Sequence, residues 1–494
     1  MSVNPALREI DFPIVGSFRK DQVTKISAEQ TINWYEVLHP YGKKTSALHP
    51  VQGLNKKVQI GIGPIRGSFV FIDDKAYFAS SNQLFQMDTA YVVTPLSPPN
   101  LTTTTGFVRI VSNQTQIIFC DGVTAILYDT VALTLTTITF PAGVIPGDIT
   151  YMDGYFIVTN VNDNRFYVSN LDDGSTWNAL SFASINSSPT FAVSVIRLKR
   201  RLFLFGSLIT EVWLDAGTAN FPFRRDNNLL FEHGLEAVGS LVEGFDRLFY
   251  LSRDDGGPSY VKMVEGTVPV NISTYEIDNV IQGLSNTDKA VGMVYKIDGI
   301  IFYKLNVGGM TFVYNVTMSS EGDRKWHQEE MLDGSQSLAN THIFFNNLHF
   351  VGDYKSSNLY QFDKQFLTND GEHIHRLRTT HVLSDPTYKQ MRIDRFQVDM
   401  LQGVGEPGSD CTDFICLNDN QDMNPVLNLS LSSDGGLTYH NFGPAEIGKT
   451  GQYKWRTIWR NLGVNRDNIL RIESWNSVSL YILGAAIHVE DMMS

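Results

Sequence analysis

The sequence is short of cysteine, of charge and of long apolar runs. Its 494 residues hold three cysteines, Cys120, Cys411 and Cys416. Three thiols cannot staple a chain this long, so a disulfide scaffold is excluded. Cys411 and Cys416 are close enough to pair or to share a metal, but no second pair completes a zinc site. Charged residues make up 18% of the chain, below the roughly 25% of an average soluble protein. Lys and Arg number 39 against 52 Asp and Glu, for a net charge of −13, which argues against a general nucleic-acid binder. No apolar run approaches the ~20 residues of a membrane helix, so no membrane span is expected. Even the stretch Val291 to Tyr303 is broken by Lys296 and Asp298. Arg8, Glu9 and Asp11 stand where a secretory signal would have its apolar core.

What is plentiful is material for strands and turns. There are 30 Phe, 20 Tyr and 7 Trp, with 39 Gly and 18 Pro. They fall into a repeating pattern: two short apolar runs joined by a polar or Gly-containing turn. The pattern starts at Ala76, Gln116, Tyr155, Leu202, Leu248, Ile300 and Leu348, with spacings of 39 to 52 residues. A beat of roughly 40–50 residues with a hairpin in each unit is that of a β-propeller blade. Blades are covered on both faces, which explains near-continuous apolar runs in place of strict alternation. A stack of β-sandwiches would show similar strands without the beat.

Two regions lie outside the beat. Residues 1–60 carry Pro5, Pro13, Pro40 and Pro50 and read as an N-terminal arm suited to closing the ring. From residue 385 onward the strands alternate, as in Arg392 to Asp399, Val426 to Leu431, Ile469 to Glu473 and Leu480 to Leu483. Alternation means one wet face and one dry one. The expectation is therefore an all-β chain: an arm over 1–60, a propeller of about seven blades over 61–384, and an antiparallel β-sandwich-like region over 385–494. Flexible loops are expected over 403–425.

Two segments match the Asp-box pattern S-x-D-x-G-x-T-aromatic. One uses Ser432, Asp434, Gly436, Thr438 and Tyr439. The other has Asn170 in first place, then Asp172, Gly174, Thr176 and Trp177. In such a turn the carboxylate accepts backbone N–H bonds, the Gly takes positive φ and the aromatic plugs the sheet beneath. Sialidases carry these boxes, but their Arg-Ile-Pro signature is absent, so a sialidase-like glycoside hydrolase is an alternative only. A host-glycan-binding propeller is another. The basic run Arg197 to Arg201 reads as a solvated turn. His373 and His375 share a strand face without a third and fourth metal ligand. The Asn418 to Asn424 loop lacks the Gly and closing Glu of a calcium loop. No phosphate loop, nucleophile elbow or His-Glu-x-x-His is present, so neither catalytic, cofactor nor metal residues are assigned.

Residues 151–240 carry a longer signature. Tyr151-Met-Asp-Gly-Tyr-Phe-Ile is followed by Phe166 to Trp177, Leu202-Phe-Leu-Phe-Gly206, Thr210-Glu211-Val-Trp213, and Gly217 to Pro222. Further agreement lies at Ile32-Asn33-Trp34-Tyr35-Glu36, Leu48 to Leu54 and Val270 to Thr274. This string resembles the packaged-DNA-stabilisation, or tail-hub (nozzle), proteins of short-tailed bacteriophages. The resemblance implies a structural virion protein and not an enzyme. It implies a homohexameric ring below the portal and adaptor that extends the DNA channel, retains the packaged genome and docks a tail needle or plug and tailspikes or fibres. Asn33, Trp34, Tyr35, Gly206, Glu211, Trp213 and Pro222 are its motif residues here. Localisation would be the virion tail, with the host cytoplasm during assembly. DNA would pass without sequence-specific binding. An acidic channel lining would keep DNA contact repulsive, so part of the −13 is expected there.

Overall fold

Hairpins that are apolar on both faces must be covered on both sides, and stacking them around one axis does this. The computed structural model describes residues 8–39, 41, 44–218, 221–257, 259–387, 389–402, 425–449 and 451–491. In it each of the seven hairpins supplies the second and third strands of a four-stranded antiparallel blade. Blade one is Ile65–Val70, Ala76–Ser80, Gln83–Met87 and Val93–Pro95. Blade two is Arg109–Ser112, Gln116–Cys120, Ala125–Asp129 and Thr134–Thr137. Blade three runs from Pro146–Met152 to Asp173–Ser184, and blade four from Ala192–Leu198 to Phe223–Phe231. Blade five is built on Val242–Gly244, Arg247–Arg253, Val261–Glu265 and Val268–Asn271. Blade six runs from Val291–Ile297 to Trp326–Glu329. Ala339–Phe345 opens blade seven and lies against Ile65–Val70 of blade one, which closes the ring.

The alternation of side chains along each strand fills the gaps between blades. Ile117 and Phe119 face blade one, against Tyr77 and Ala79. Ile118 and Cys120 face blade three, against Phe156 and Val158. Seven apolar clusters of this kind occupy the seven gaps, and an eighth is the sandwich core.

The N-terminal residues are threaded through both parts. The boundary expected at 60/61 is crossed by Gly53–Gln59, the outer strand of blade seven. It runs antiparallel to Asn358–Asp363 with Leu54 opposite Phe362. Blade seven has only three strands of its own, and its open edge is paired this way. A Cβ on Gly53 would sit 2.3 Å from the Phe366 carbonyl oxygen, so the closing strand needs glycine there.

The sandwich also departs from the expected 385–494. One sheet joins Trp34–Leu38, Ser46–Pro50, Ile482–Asp491, Met391–Met400 and Thr457–Asn465, with Arg8–Phe12 paired to Ile482–Asp491. The other continues outward from blade six through Ala28–Ile32, Arg376–Thr379, Asp467–Ser474, Val426–Ser432 and His440–Glu446. Strands from both ends of the chain are needed because the C-terminal ones alone leave Leu427, Leu429, Ile393 and Phe396 without Phe12, Trp34 and Leu48 to pack on. The loops expected over 403–425, with Cys411 and Cys416, lie outside the described residues apart from Pro425.

Candidate functional site

A propeller's axis is the usual place for a ligand. Here it is divided. Arg109, on the first strand of blade two, makes a two-pronged ion pair with Asp148 of blade three, Nε–Oδ1 at 2.9 Å and Nη2–Oδ2 at 3.1 Å. The guanidinium also donates to the carbonyls of Leu241 (3.0 Å) and Val238 (3.3 Å) before blade five. Ser194 of blade four donates its hydroxyl to Asp148. Asp148 is 1% exposed. The pair forms a bolt across the tunnel, tying four blades together. On one side lies a pit of about 780 Å³ lined by Arg66, Asp121, Glu236, Asp288, Lys289 and Tyr354 among others. On the other lies a pit of about 320 Å³ with Tyr151, Arg197 and Glu243, and Arg109 lines both. Burial raises the Glu243 carboxyl above its ordinary range, with Arg197 opposing the shift. Arg66 is spent on structure, donating to the carbonyls of Ser81, Thr103, Thr105 and Gly106 at 2.6–2.8 Å.

The two Asp-box segments behave differently. In the C-terminal one, Asp434 accepts the amides of Leu437 and Thr438 at 3.0 Å and the Thr438 hydroxyl at 2.6 Å. These bonds, the Thr438 hydroxyl first, hold its carboxyl well below the usual range. Ser432 accepts the Gly436 amide at 2.8 Å, Gly436 sits at φ 88°, and Tyr439 packs under the Arg471 guanidinium at 4.1 Å. In blade three the expected roles shift by one residue. Asp173, not Asp172, accepts the Ser175 amide (2.9 Å) and hydroxyl (2.6 Å). Asp172 lies at φ 53° and accepts from the Tyr151 hydroxyl at 3.1 Å, while Gly174 is not in the left-handed region. The tight Asn170–Asp173 pairing places the turn earlier, so the left-handed residue is Asp172. Gly174 is needed for space instead: a Cβ would meet Ile118 at 2.7 Å. Thr176 is exposed, and Trp177 donates to the Gly174 carbonyl at 2.8 Å and packs on Phe140.

The motif residues occupy two joints. Asn33, at φ 55°, donates to the carbonyls of Glu330 (2.9 Å) and His375 (2.7 Å) and accepts the Glu330 amide (3.1 Å), so it pins the propeller to the sandwich. Trp34 lies in the sandwich core and donates to the Leu480 carbonyl, whereas the next residue, Tyr35, packs into the blade six–seven cluster against Phe302. Glu211 is wholly buried and accepts from the Asn186 and Ser187 amides, the Ser187 hydroxyl, Arg225 and the Trp213 indole. Gly206 has Thr190 where a Cβ would go, 2.7 Å away, and the buried Pro222 turns the chain back by accepting the Ala216 amide. Each side chain is satisfied by the fold itself.

His373 and His375 do not converge. His373 pairs with the Ser477 hydroxyl at 2.8 Å. His375 sits between Glu330 (3.2 Å) and Glu473 (3.4 Å) and stacks on Trp475. Burial disfavours its charged form, but the two carboxylates outweigh burial and lift it to about 9. Cys120 is buried, and burial pushes its thiol up to about 12. Among the described residues no group of three or more His, Cys, Asp or Glu could hold a metal ion, and no helix is long and apolar enough to cross a membrane. The Arg109–Asp148 bolt was not legible beforehand, since one Arg and one Asp at the mouths of consecutive inner strands carry no spacing signature.

The family model described as bacteriophage P22 Gp10, beta-propeller, matches residues 10–367. The chain belongs to that family of bacteriophage propeller proteins. The match takes in most of the arm and all seven blades. No curated protein matches the chain. Among solved structures, the WD40 domain of Neurospora crassa Pan2 is 9% identical, covering 61% of this chain and 89% of its own at a TM-score of 0.40. YCF48 bound to D1 peptide is 12% identical, covering 63% and 97% at 0.39. The extracellular domain of a putative hybrid two-component system from B. thetaiotaomicron is 10% identical, covering 85% and 60% at 0.44. At these scores none of the three bears on what the Gp10-family chain does.

Proposed function

We propose that the chain is a structural subunit of the virion tail, a hub or nozzle protein. In this reading copies of it form a six-membered ring that extends the channel of the portal and adaptor, retains packaged DNA and docks the tail needle and spikes or fibres. The observation that carries the reading is membership of the P22 Gp10 propeller family over residues 10–367. The geometry supports it in two ways. The propeller's own tunnel is bolted by Arg109 and Asp148, so a conduit for DNA would run between copies and not through a blade ring. The motif residues serve the joints of the fold and none is left reaching for a substrate, as suits a scaffold. The reading includes no catalytic role. Particles assembled without this chain test it. They should package DNA and then lose it, with retention restored by adding the purified chain. Particles that keep their genome equally well without it would contradict the reading.

A further inference from the structure

The net charge of −13 is unevenly placed. Residues 447–466, which bring the chain from one sandwich sheet into the other, hold Lys449, Lys454, Arg456, Arg460 and Arg466 and no acidic residue. All five are exposed, and none has an ion-pair partner among the described residues; the nearby pairs are Arg392–Glu490 and Arg471–Glu473. Between the cations stand Tyr453, 71% exposed, and Trp455, 37% exposed. This strip runs along Thr457–Asn465, an edge strand of its sheet, beside His440–Glu446, the edge of the other. His440–Glu446 is the fifth strand outward from Trp326–Glu329 of blade six, roughly 24 Å away at the usual strand spacing.

The opposite end of the molecule has the complementary chemistry. In blades one to six the connection between strands one and two and that between strands three and four lie at the same end. Across blades one to three these turns present Asp73, Asp74, Asp88, Asp129, Asp153 and the Asp172–Asp173 pair, against the single cation Lys75. The same turns expose Ile72, Val92, Val131, Leu133 and Leu171, each at least 57% accessible. At blade four the sign changes, with Lys199 and Arg200 in its first turn. In a ring of seven, blades two and three are the farthest from blade six, which bears the sandwich. The strip and the arc therefore cannot meet within one copy.

We propose that the basic, aromatic strip of the sandwich is the docking surface for a second copy of this chain, which seats its acidic, apolar arc of blades one to three there. Two different patches at opposite ends make a heterologous contact, the kind that repeats around a ring. Tyr, Trp and Arg on one side, and exposed aliphatic side chains ringed by carboxylates on the other, suit a packed centre with a charged rim. The assignment rests on the ring-forming reading above and names its surfaces.

Charge exchange tests it. In one variant K454E and R456E place carboxylates on either side of Trp455, at the centre of the strip. In another I72K, V131K and L171K place lysines in the arc, at exposed positions with ordinary backbone angles. Ring formation is read by electron microscopy on purified portal–adaptor complex. Each variant alone should lose assembly by at least about tenfold, with the loss of wild-type assembly steepening in salt, since rim pairs are screened. An equimolar mixture should recover rings, because the new carboxylates beside Trp455 then face the new lysines of the arc; a misfolded variant could not be rescued this way. Wild-type assembly by either variant alone would overturn the assignment and leave the hub reading standing. Failure of the mixture, with salt-sensitive duplex DNA binding lost only in the strip variant, would overturn it in favour of a phosphate surface. Wild-type chain that forms no ring on the portal–adaptor complex would overturn both.

Discussion

The propeller and the sandwich are both antiparallel β-structures with dry cores, but they are specified differently. Six blades of the propeller are made of neighbouring residues, and their hairpins carry apolar residues on both faces. The sandwich is made from strands more than 400 residues apart, such as Arg8–Phe12 on Ile482–Asp491. Its strands are held by polar stitches as well as by apolar packing. Arg378 is wholly buried and donates to the carbonyls of Ile14 (2.7 Å) and Ser17 (3.1 Å), to the Thr31 hydroxyl (2.9 Å) and to Glu29 (2.6 Å), sewing the N-terminal strands to Arg376–Thr379. Local repetition builds a ring cheaply in contact order, whereas joining the chain's two ends needs directional bonds.

Breaking the axial bolt should hurt most. R109A leaves Asp148 buried and charged among four blades, with an expected loss of about 3–5 kcal/mol, measured by urea unfolding. Next is the closing strand. G53A pushes a Cβ against the Phe366 carbonyl, and a cost of about 2–4 kcal/mol is expected for such a backbone clash. The comparison sharpens if hydrogen exchange in G53A rises first in blade seven and the Trp34–Pro50 hairpin, leaving blades two to four protected.

The joint between the two regions should respond to pH. His375 is raised to about 9 in the folded chain against about 6.5 unfolded. Its stabilisation is thus complete below about pH 6.5 and lost as pH climbs through 9. The groups facing it are Glu330 from the propeller side and Glu473 from the sandwich, with Trp475 stacked on the ring. H375Q should cost about 2 kcal/mol at pH 6 and close to nothing at pH 10. A mutant penalty independent of pH would remove the ion-pair account.

The smaller effects separate the two turns. D434N should lower the melting temperature more than D172N, because Asp434 is the carboxylate that holds its turn. D173N, in contrast, should resemble D434N. The smallest effect is expected at Arg376, which is wholly buried and, among the described residues, donates to the Asn476 carbonyl alone. Its Nε and Nη2 have no hydrogen-bond partner among the described residues, and burial brings the guanidinium down to about 10. R376M should be neutral or stabilising, since the apolar isostere removes an uncompensated charge. The contrast with R109A is the point: the same residue type is a keystone in the propeller and a burden in the sandwich.

What could be read in advance follows the same division. The seven hairpins are visible because period and apolarity coincide in each, and they are the central strand pairs of the seven blades. Gly53–Gln59 was hidden because Leu54-Asn-Lys-Lys-Val-Gln is polar enough for a loop and becomes a strand only against Asn358–Asp363. Ala28–Ile32 and Arg376–Thr379 were hidden because they carry buried polar side chains, Thr31, Arg376, Arg378 and Thr379, where alternation would demand apolar ones. Of the motif residues, Trp34 and Trp213 could be placed in a core by type alone. The joint made by Asn33 could not, since its partners lie some 300 residues away.

In the proposed function this bolted propeller and its two-ended sandwich form one unit of a ring whose channel lies between the copies. The direct measurement is electron microscopy of the purified chain bound to the portal–adaptor complex. The account predicts a six-membered ring in which each propeller's own tunnel is closed at Arg109 and Asp148 and the open channel runs along the ring axis. Isolated monomers beside a bare portal, or density for DNA threading a single propeller, would contradict it.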